Sequence, residues 1–179
     1  EKGILPDIDY QVSDGNFRFS GNTVNGSVAA SLNAFIESNI NKTEWCVGRS
    51  YIALQAFVFP NKTVSEAFQK LRNVILQKYK IATTFGFGPR FLHSTGQLHK
   101  GDSGNGIFVQ FFNKSVVDIE VPNNPGSESS SYTFGTLITA QLLGDRKALL
   151  DNNRKVVTIY IKNDIGKSIN KLAGELEQF

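Results

Sequence analysis

Tyr51 to Phe59, YIALQAFVF, is an almost unbroken apolar run closed by Pro60. Such a run reads as a strand buried on both faces of a parallel sheet, and a strand of that kind needs helices above and below it. The chain then continues as that requirement asks. Thr63-Val-Ser-Glu66 has the form of a capping box, Val64, Phe68, Leu71, Val74 and Ile75 carry an apolar stripe toward Tyr79, and IATTFGF at 81–87 supplies the next strand. Residues 51–87 therefore read as one βαβ unit, whose right-handed crossover lays the helix on the sheet.

The remaining chain extends the pattern. Val28, Leu32, Phe35 and Ile36 recur at helical spacing over 27–38. GIFVQFF at 106–112 and VVDIEV at 116–121 read as strands joined by a tight turn at Asn113-Lys114, and PNNPGSESSS at 122–131 reads as a polar loop. A helix is predicted to open near Phe134, RKVVTIYIK at 154–162 is a further buried strand, and Asn163 or Asp164 caps a last helix carrying Ile165, Ile169, Leu172 and Leu176. Residues 1–25 read as a linker with an edge strand at 16–19, and 26–179 as one domain. The predicted class is α/β, a three-layer αβα sandwich around a mostly parallel sheet, with ligands at the carboxyl ends of the strands.

Composition narrows the function classes. No stretch approaches the length of a membrane span, the start lacks the order of a signal peptide, and Cys46 stands alone, all of which predict a cytoplasmic protein. Asn-X-Ser/Thr triplets at Asn25, Asn41, Asn61 and Asn113 carry weight only in an exported chain. The formal charge of +3 is spread along the sequence, so neither a nucleic-acid partner nor a membrane partner is expected. The chain contains no methionine, which reads as a fragment or a processed chain.

Both histidines lie in one segment, GPRFLHSTGQLHKG at 88–101, directly after the strand at 81–87. Gly86, Gly88 and Pro89 break that strand, so Arg90 to Gly101 is predicted to be a connecting loop. Ser94, Thr95 and Gly96 offer hydroxyl and backbone N–H donors for phosphate or sugar oxygens, and Arg90 and Lys100 add positive charge. The alternative reading has His93 and His99 bonding neighbouring backbone in a well-packed loop. Zinc is disfavoured because two histidines without a nearby cysteine leave ligands missing, so no metal is expected. Cys46 beside Trp45 reads as a small buried hydrophobe. Gly101-Asp-Ser-Gly-Asn-Gly106 lacks the lysine of a P-loop and reads as a turn into the next strand, while Asp102, Asp118, Glu120 and Glu128 read as solvated carboxylates.

FGPRFLHSTGQLHKG, followed by GIFVQ, DIEVP and YTFGTLITAQLLGD and preceded by YIALQAFV, closely resembles the C-terminal end of the glucose-6-phosphate isomerase portion of bifunctional transaldolase/phosphoglucose isomerase proteins. The likeness covers most of residues 27–162. It implies a sugar isomerase (SIS) fold, flavodoxin-like in each subdomain, of which this chain resembles only the second. The implied reaction interconverts glucose 6-phosphate and fructose 6-phosphate through ring opening and a cis-enediolate, with no cofactor. On this resemblance His93 or His99 assists ring opening, while Arg90, Ser94, Thr95, Gln97 and Lys100 hold sugar or phosphate oxygens. Two features depart from the pattern: Ile138 and Thr139 replace basic residues expected on the helix after FGTL, and Gly101-Asp102 replaces a double glycine.

The resemblance further implies the remaining isomerase subdomain, and a transaldolase domain of the same polypeptide, as partners, together with homodimerisation. Activity would then need the rest of the protein. The alternative is a non-catalytic phosphosugar-binding module, which the missing basic pair favours. A third class, a structural assembly domain, predicts no phosphosugar binding.

Overall fold

The computed structural model describes residues 5–40, 50–114 and 117–179; Trp45 and Cys46 lie outside them. In chain order the elements are β1 (Val12–Asp14), β2 (Phe17–Ser20), α1 (Val28–Asn39), β3 (Tyr51–Phe57), α2 (Lys62–Tyr79), β4 (Ala82–Phe87), a 3-10 turn (Arg90–His93), α3 (Thr95–Gly101), β5 (Gly106–Phe112), β6 (Glu120–Pro122), β7 (Ser130–Thr133), α4 (Phe134–Asp151), β8 (Lys155–Ile161) and α5 (Ile165–Glu177).

One six-stranded sheet runs in the order β1-β2-β8-β5-β3-β4. β8, β5, β3 and β4 are mutually parallel, and the β1–β2 hairpin joins antiparallel along β8. The fold is thus a three-layer α/β sandwich with a mostly parallel sheet. From β3 the chain winds outward to β4, returns across β3 to β5, and then winds the other way to β8. The reversal between β3 and β5 is the topological switch point of a doubly wound sheet.

The two faces of the sheet differ in chemistry. Ile52, Leu54 and Ala56 of β3, Ile107, Val109 and Phe111 of β5, and Val157, Ile159 and Ile161 of β8 meet α1, α2 and α5 in one continuous apolar core. The alternate residues point the other way, as a strand period of two requires. There the apolar contacts fall into two separate clusters, one around Ala53, Phe108, Leu149 and Val156, the other around Phe57, Phe91, Phe112 and Leu142. Between them lies a row of polar residues described below.

Several elements differ from the sequence expectations, each for a local reason. The helix predicted to start at Thr63 starts at Lys62: Asn61 is the cap, its Oδ1 accepting from Val64 N at 2.9 Å, so Thr63 and Glu66 sit inside the first turn and form no capping box. Of the strand predicted at 116–121, the described residues 117–121 do not join the main sheet. Only Glu120–Pro122 is extended, and it pairs with Ser130–Thr133 in a separate two-stranded sheet, leaving Val117 and Ile119 exposed. Part of the polar stretch at 122–131 is thereby drawn into β7. Arg90 to Gly101 is not an open loop but the 3-10 turn followed by α3. The last helix takes Asp164 as its cap, with the carboxylate accepting from Lys167 N.

The corrected start of α2 has a measurable consequence. Asn61→Ala is expected to lower stability by about 1 kcal/mol in urea denaturation, the usual worth of a lost cap. Glu66→Ala removes only an exposed, 3.9 Å contact with Lys62 and should stay within about 0.5 kcal/mol of the parent. The reverse ranking would restore the Thr63–Glu66 box.

Candidate functional site

The segment 88–101 leaves the carboxyl end of β4 and crosses back beneath the sheet toward the amino end of β5. Its anchor is Phe91, buried against Phe57 with ring centroids 5.6 Å apart. Two glycines make room for this packing: a Cβ on Gly88 would lie 2.6 Å from the Phe57 ring, and one on Gly96 would lie 3.0 Å from the Phe91 carbonyl. Ser94 Oγ donates to Phe91 O at 3.3 Å, and Gln97 Nε2 donates to Leu92 O at 3.1 Å, so the turn is closed by its own side chains.

This geometry divides the predicted site residues into two sets. Arg90, His93, Ser94, Thr95 and Gln97 are exposed along the turn and the start of α3. His99 is buried, and Lys100 is turned inward with its Nζ 3.0 Å from Asp145 Oδ1. The two histidines therefore do not share one environment.

His99 reaches the polar row. Gln55 of β3, Gln110 of β5, Thr158 of β8 and Ser20 of β2 are register partners on four adjacent strands, and all four are buried. Gln110 Nε2 donates to Gln55 Oε1 at 3.1 Å and to Asp145 Oδ2 at 3.2 Å, and Thr158 Oγ1 donates to Gln110 Oε1 at 3.1 Å. Arg146 Nη1 donates to Thr158 Oγ1 at 3.1 Å, and its Nη2 donates to Ser20 Oγ at 3.2 Å. At the other end Gln55 Nε2 lies 3.4 Å from His99 Nδ1. The Lys100–Asp145 contact is a charge pair without hydrogen-bond alignment at Oδ1.

Burial holds the His99 imidazolium below its ordinary range, and Lys100 acts in the same direction, while Asp145 and Asp102 oppose them. Burial likewise lowers the Arg146 guanidinium. Tyr51, beside His99, is raised by burial and then by the 2.8 Å hydrogen bond it donates to Asp102 Oδ2.

The acidic residues read as solvated carboxylates fare differently. Asp102 is an internal bracket: it accepts from Gly104 N, Gly106 N and Tyr51, and it faces Arg154 Nε at 3.4 Å. It organises the glycine-rich turn into β5. Asp118 stays at the surface but accepts from Thr133 Oγ1 and from Gly135 N at the start of α4, and those bonds hold its carboxyl below the usual range. Ile138, at a position where the resemblance expects a cation, packs against the apolar cluster of Phe57, Phe91, Phe112 and Leu142; Thr139 Oγ1 donates to Gly135 O at 2.7 Å.

A separate open cleft of about 570 Å³ lies over the carboxyl ends of β3, β5 and β8, where Asn61, Thr63, Asn113, Lys162, Asp164 and Gly166 contribute to its walls. It occupies the switch-point position of the fold. No residue of 88–101 lines it, and two of its polar side chains are engaged with backbone outside its walls: Asn113 Nδ2 donates to Ile161 O and Lys162 Nζ to Gly15 O. Among the described residues no group of three or more His, Cys, Asp or Glu side chains is placed to hold a metal ion, and no helix is long and apolar enough to cross a membrane.

Gln55, Gln110, Thr158 and Asp145 were not anticipated as site residues. The signal was present as polar residues interrupting otherwise apolar strands, YIALQAF, GIFVQFF and KVVTIYI, each on the same face of its strand.

Comparison with families of known proteins finds no match, and neither does comparison with curated proteins. Among solved structures, a hypothetical protein from Thermus thermophilus has a similar fold, with a TM-score of 0.61 at 13% sequence identity over 84% of this chain. The chain spans 38% of that protein's length. At this identity the likeness concerns the fold alone.

The buried histidine predicts a pH dependence. In the unfolded chain His99 takes up a proton as the pH falls through about 6.5, whereas the folded protein resists protonation until lower pH. In that window the unfolded state binds more protons, so stability falls with falling pH. Urea midpoints measured between about pH 7.5 and pH 5.5 should decline in the parent and decline less in His99→Gln. Equal slopes would mean that His99 is not held neutral by the fold.

Proposed function

We propose that this chain is the C-terminal, SIS-type module of a cytoplasmic glucose-6-phosphate isomerase and supplies one wall of its phosphosugar site. The observation that carries this reading is the division of the segment 88–101. His93 stands exposed at the end of the 3-10 turn that follows the edge strand β4, with Arg90, Ser94, Thr95 and Gln97 exposed around it. Ring opening needs a general acid/base that the sugar can reach, and histidine is the side chain most often used for that task. Arg90 and the Thr95 hydroxyl provide donors for phosphate or sugar oxygens, while the Ser94 hydroxyl joins them only by releasing Phe91 O. In this reading His93 is the acid/base for ring opening, whereas His99 and Lys100 support the turn from beneath.

The remaining isomerase subdomain, with or without a transaldolase domain, and a second copy are the proposed partners. Leu98, Phe134 and Leu137 of α3 and α4 are large exposed apolar side chains on the thinner layer, as a module covered by another body would present. The second reading, a phosphosugar-binding module without catalysis, is favoured by Ile138 and Thr139, which leave that part of α4 without a cation to meet an enediolate.

In the full-length protein His93→Ala is expected to lower kcat/KM for fructose 6-phosphate by about 10²- to 10⁴-fold. His99→Ala acts instead through stability. NMR titration with 5-phosphoarabinonate, an enediolate mimic, should shift the His93 ring. Unchanged turnover in His93→Ala with a shifted His93 ring would select the binding module, and no shift at His93 in the complete protein would reject both readings.

A further inference from the structure

The buried row has a direction, and the direction follows from valence. Asp145 is almost fully buried and paired with Lys100, and a carboxylate only accepts hydrogen bonds. The Gln110 group 3.2 Å from Asp145 Oδ2 must therefore be the amide NH2, which leaves Gln110 Oε1 to accept from Thr158 at 3.1 Å. The second hydrogen of that NH2 goes to Gln55, so the Gln55 atom at 3.1 Å is its carbonyl oxygen. Gln55 then has only its own NH2 to present to His99 Nδ1 at 3.4 Å. Neither amide can be flipped without setting donor against donor or acceptor against acceptor.

We infer that Asp145, acting through Gln110 and Gln55, fixes His99 as the neutral imidazole that accepts at Nδ1 and carries its proton on Nε2. The other groups around the ring are compatible with that state. Lys100 and Asp102 come from its own segment, Asp145 from α4 and Tyr51 from β3, while its neighbours Phe91 and Phe108 carry no charge. Asp145 and Gln55 are thus positioning residues, and His99 is a fixed hydrogen-bond donor rather than a base. This holds whether or not the isomerase reading does, because it concerns the protein without ligand.

Long-range ¹H–¹⁵N spectra of the imidazoles test it on the whole chain. The expected result is a single His99 species, protonated on Nε2 and not on Nδ1, which persists as the pH is lowered through the ordinary imidazole range of about 6.5. A His99 ring protonated on Nδ1, or one that becomes imidazolium at about pH 6.5 like a free imidazole, would overturn the inference. Gln55→Glu tests the relay itself: its carboxylate still accepts from Gln110 but can no longer donate to His99, so Nδ1 must gain a proton. The variant is expected to show His99 protonated at Nδ1 and titrating at higher pH than in the parent. Retention of the parent tautomer in folded Gln55→Glu would mean that the glutamines do not set it, and if the variant does not fold, the parent spectrum alone decides.

Discussion

A buried carboxylate, Asp145, meets a row of amides and hydroxyls that crosses four strands in register, and the arrangement of the second helical layer follows from that meeting. On the opposite face the strands present an apolar surface, against which α1, α2 and α5 pack chiefly through apolar contacts, with polar bonds such as Arg72 to Thr83 at the margin. The face toward α3 and α4 has apolar contacts only at the two ends of the strands. Its middle consists of polar groups that would be costly to bury unpaired, and so α4 must bring Asp145 and Arg146 to them and α3 must bring His99 and Lys100. Registration of the helices on this face is therefore set by hydrogen-bond valence more than by shape.

Such a network is not an efficient source of stability. Buried ion pairs recover little beyond their desolvation cost, and apolar residues of similar volume often serve as well, whereas removing one partner costs about 3–5 kcal/mol. What the network supplies is placement. It holds the carboxyl-terminal half of the histidine segment against the sheet, while Phe91 pins the start, so the short stretch between them projects His93, Ser94 and Thr95 from a fixed base, with Arg90 beside the anchor. In the proposed reading, a turn braced in this way needs little ordering to bind a phosphosugar.

Much of the fold was legible because its signals are local. The apolar runs at 51–59, 106–112 and 154–162 and the helical stripes at 28–36, 64–75 and 165–176 give periodicities that tertiary context did not override. Two of the failures show where local signals mislead. The stretch 116–121 has strand composition, but its described part has no place in the main sheet, since the chain must leave the carboxyl end of β5 and travel back before β8. Thr63 to Glu66 matched a capping pattern, yet Asn61 stood two positions earlier and took the role. The site was half legible. Its segment was found from residue types, but the separation of His93 from His99 depends on the helical turn of α3, and the polar row depends on strand register across four chain-distant strands. Neither is encoded in neighbouring residues.

The central claim, that Asp145 and the in-register amides act as one unit, is tested most directly by a double-mutant cycle on Gln110→Leu and Asp145→Leu, read as urea stabilities at neutral pH. Each single replacement strands the other's polar group, and the double replacement strands fewer, so the account predicts a coupling of more than about 1 kcal/mol in favour of the pair. Additivity within about 0.5 kcal/mol would contradict it.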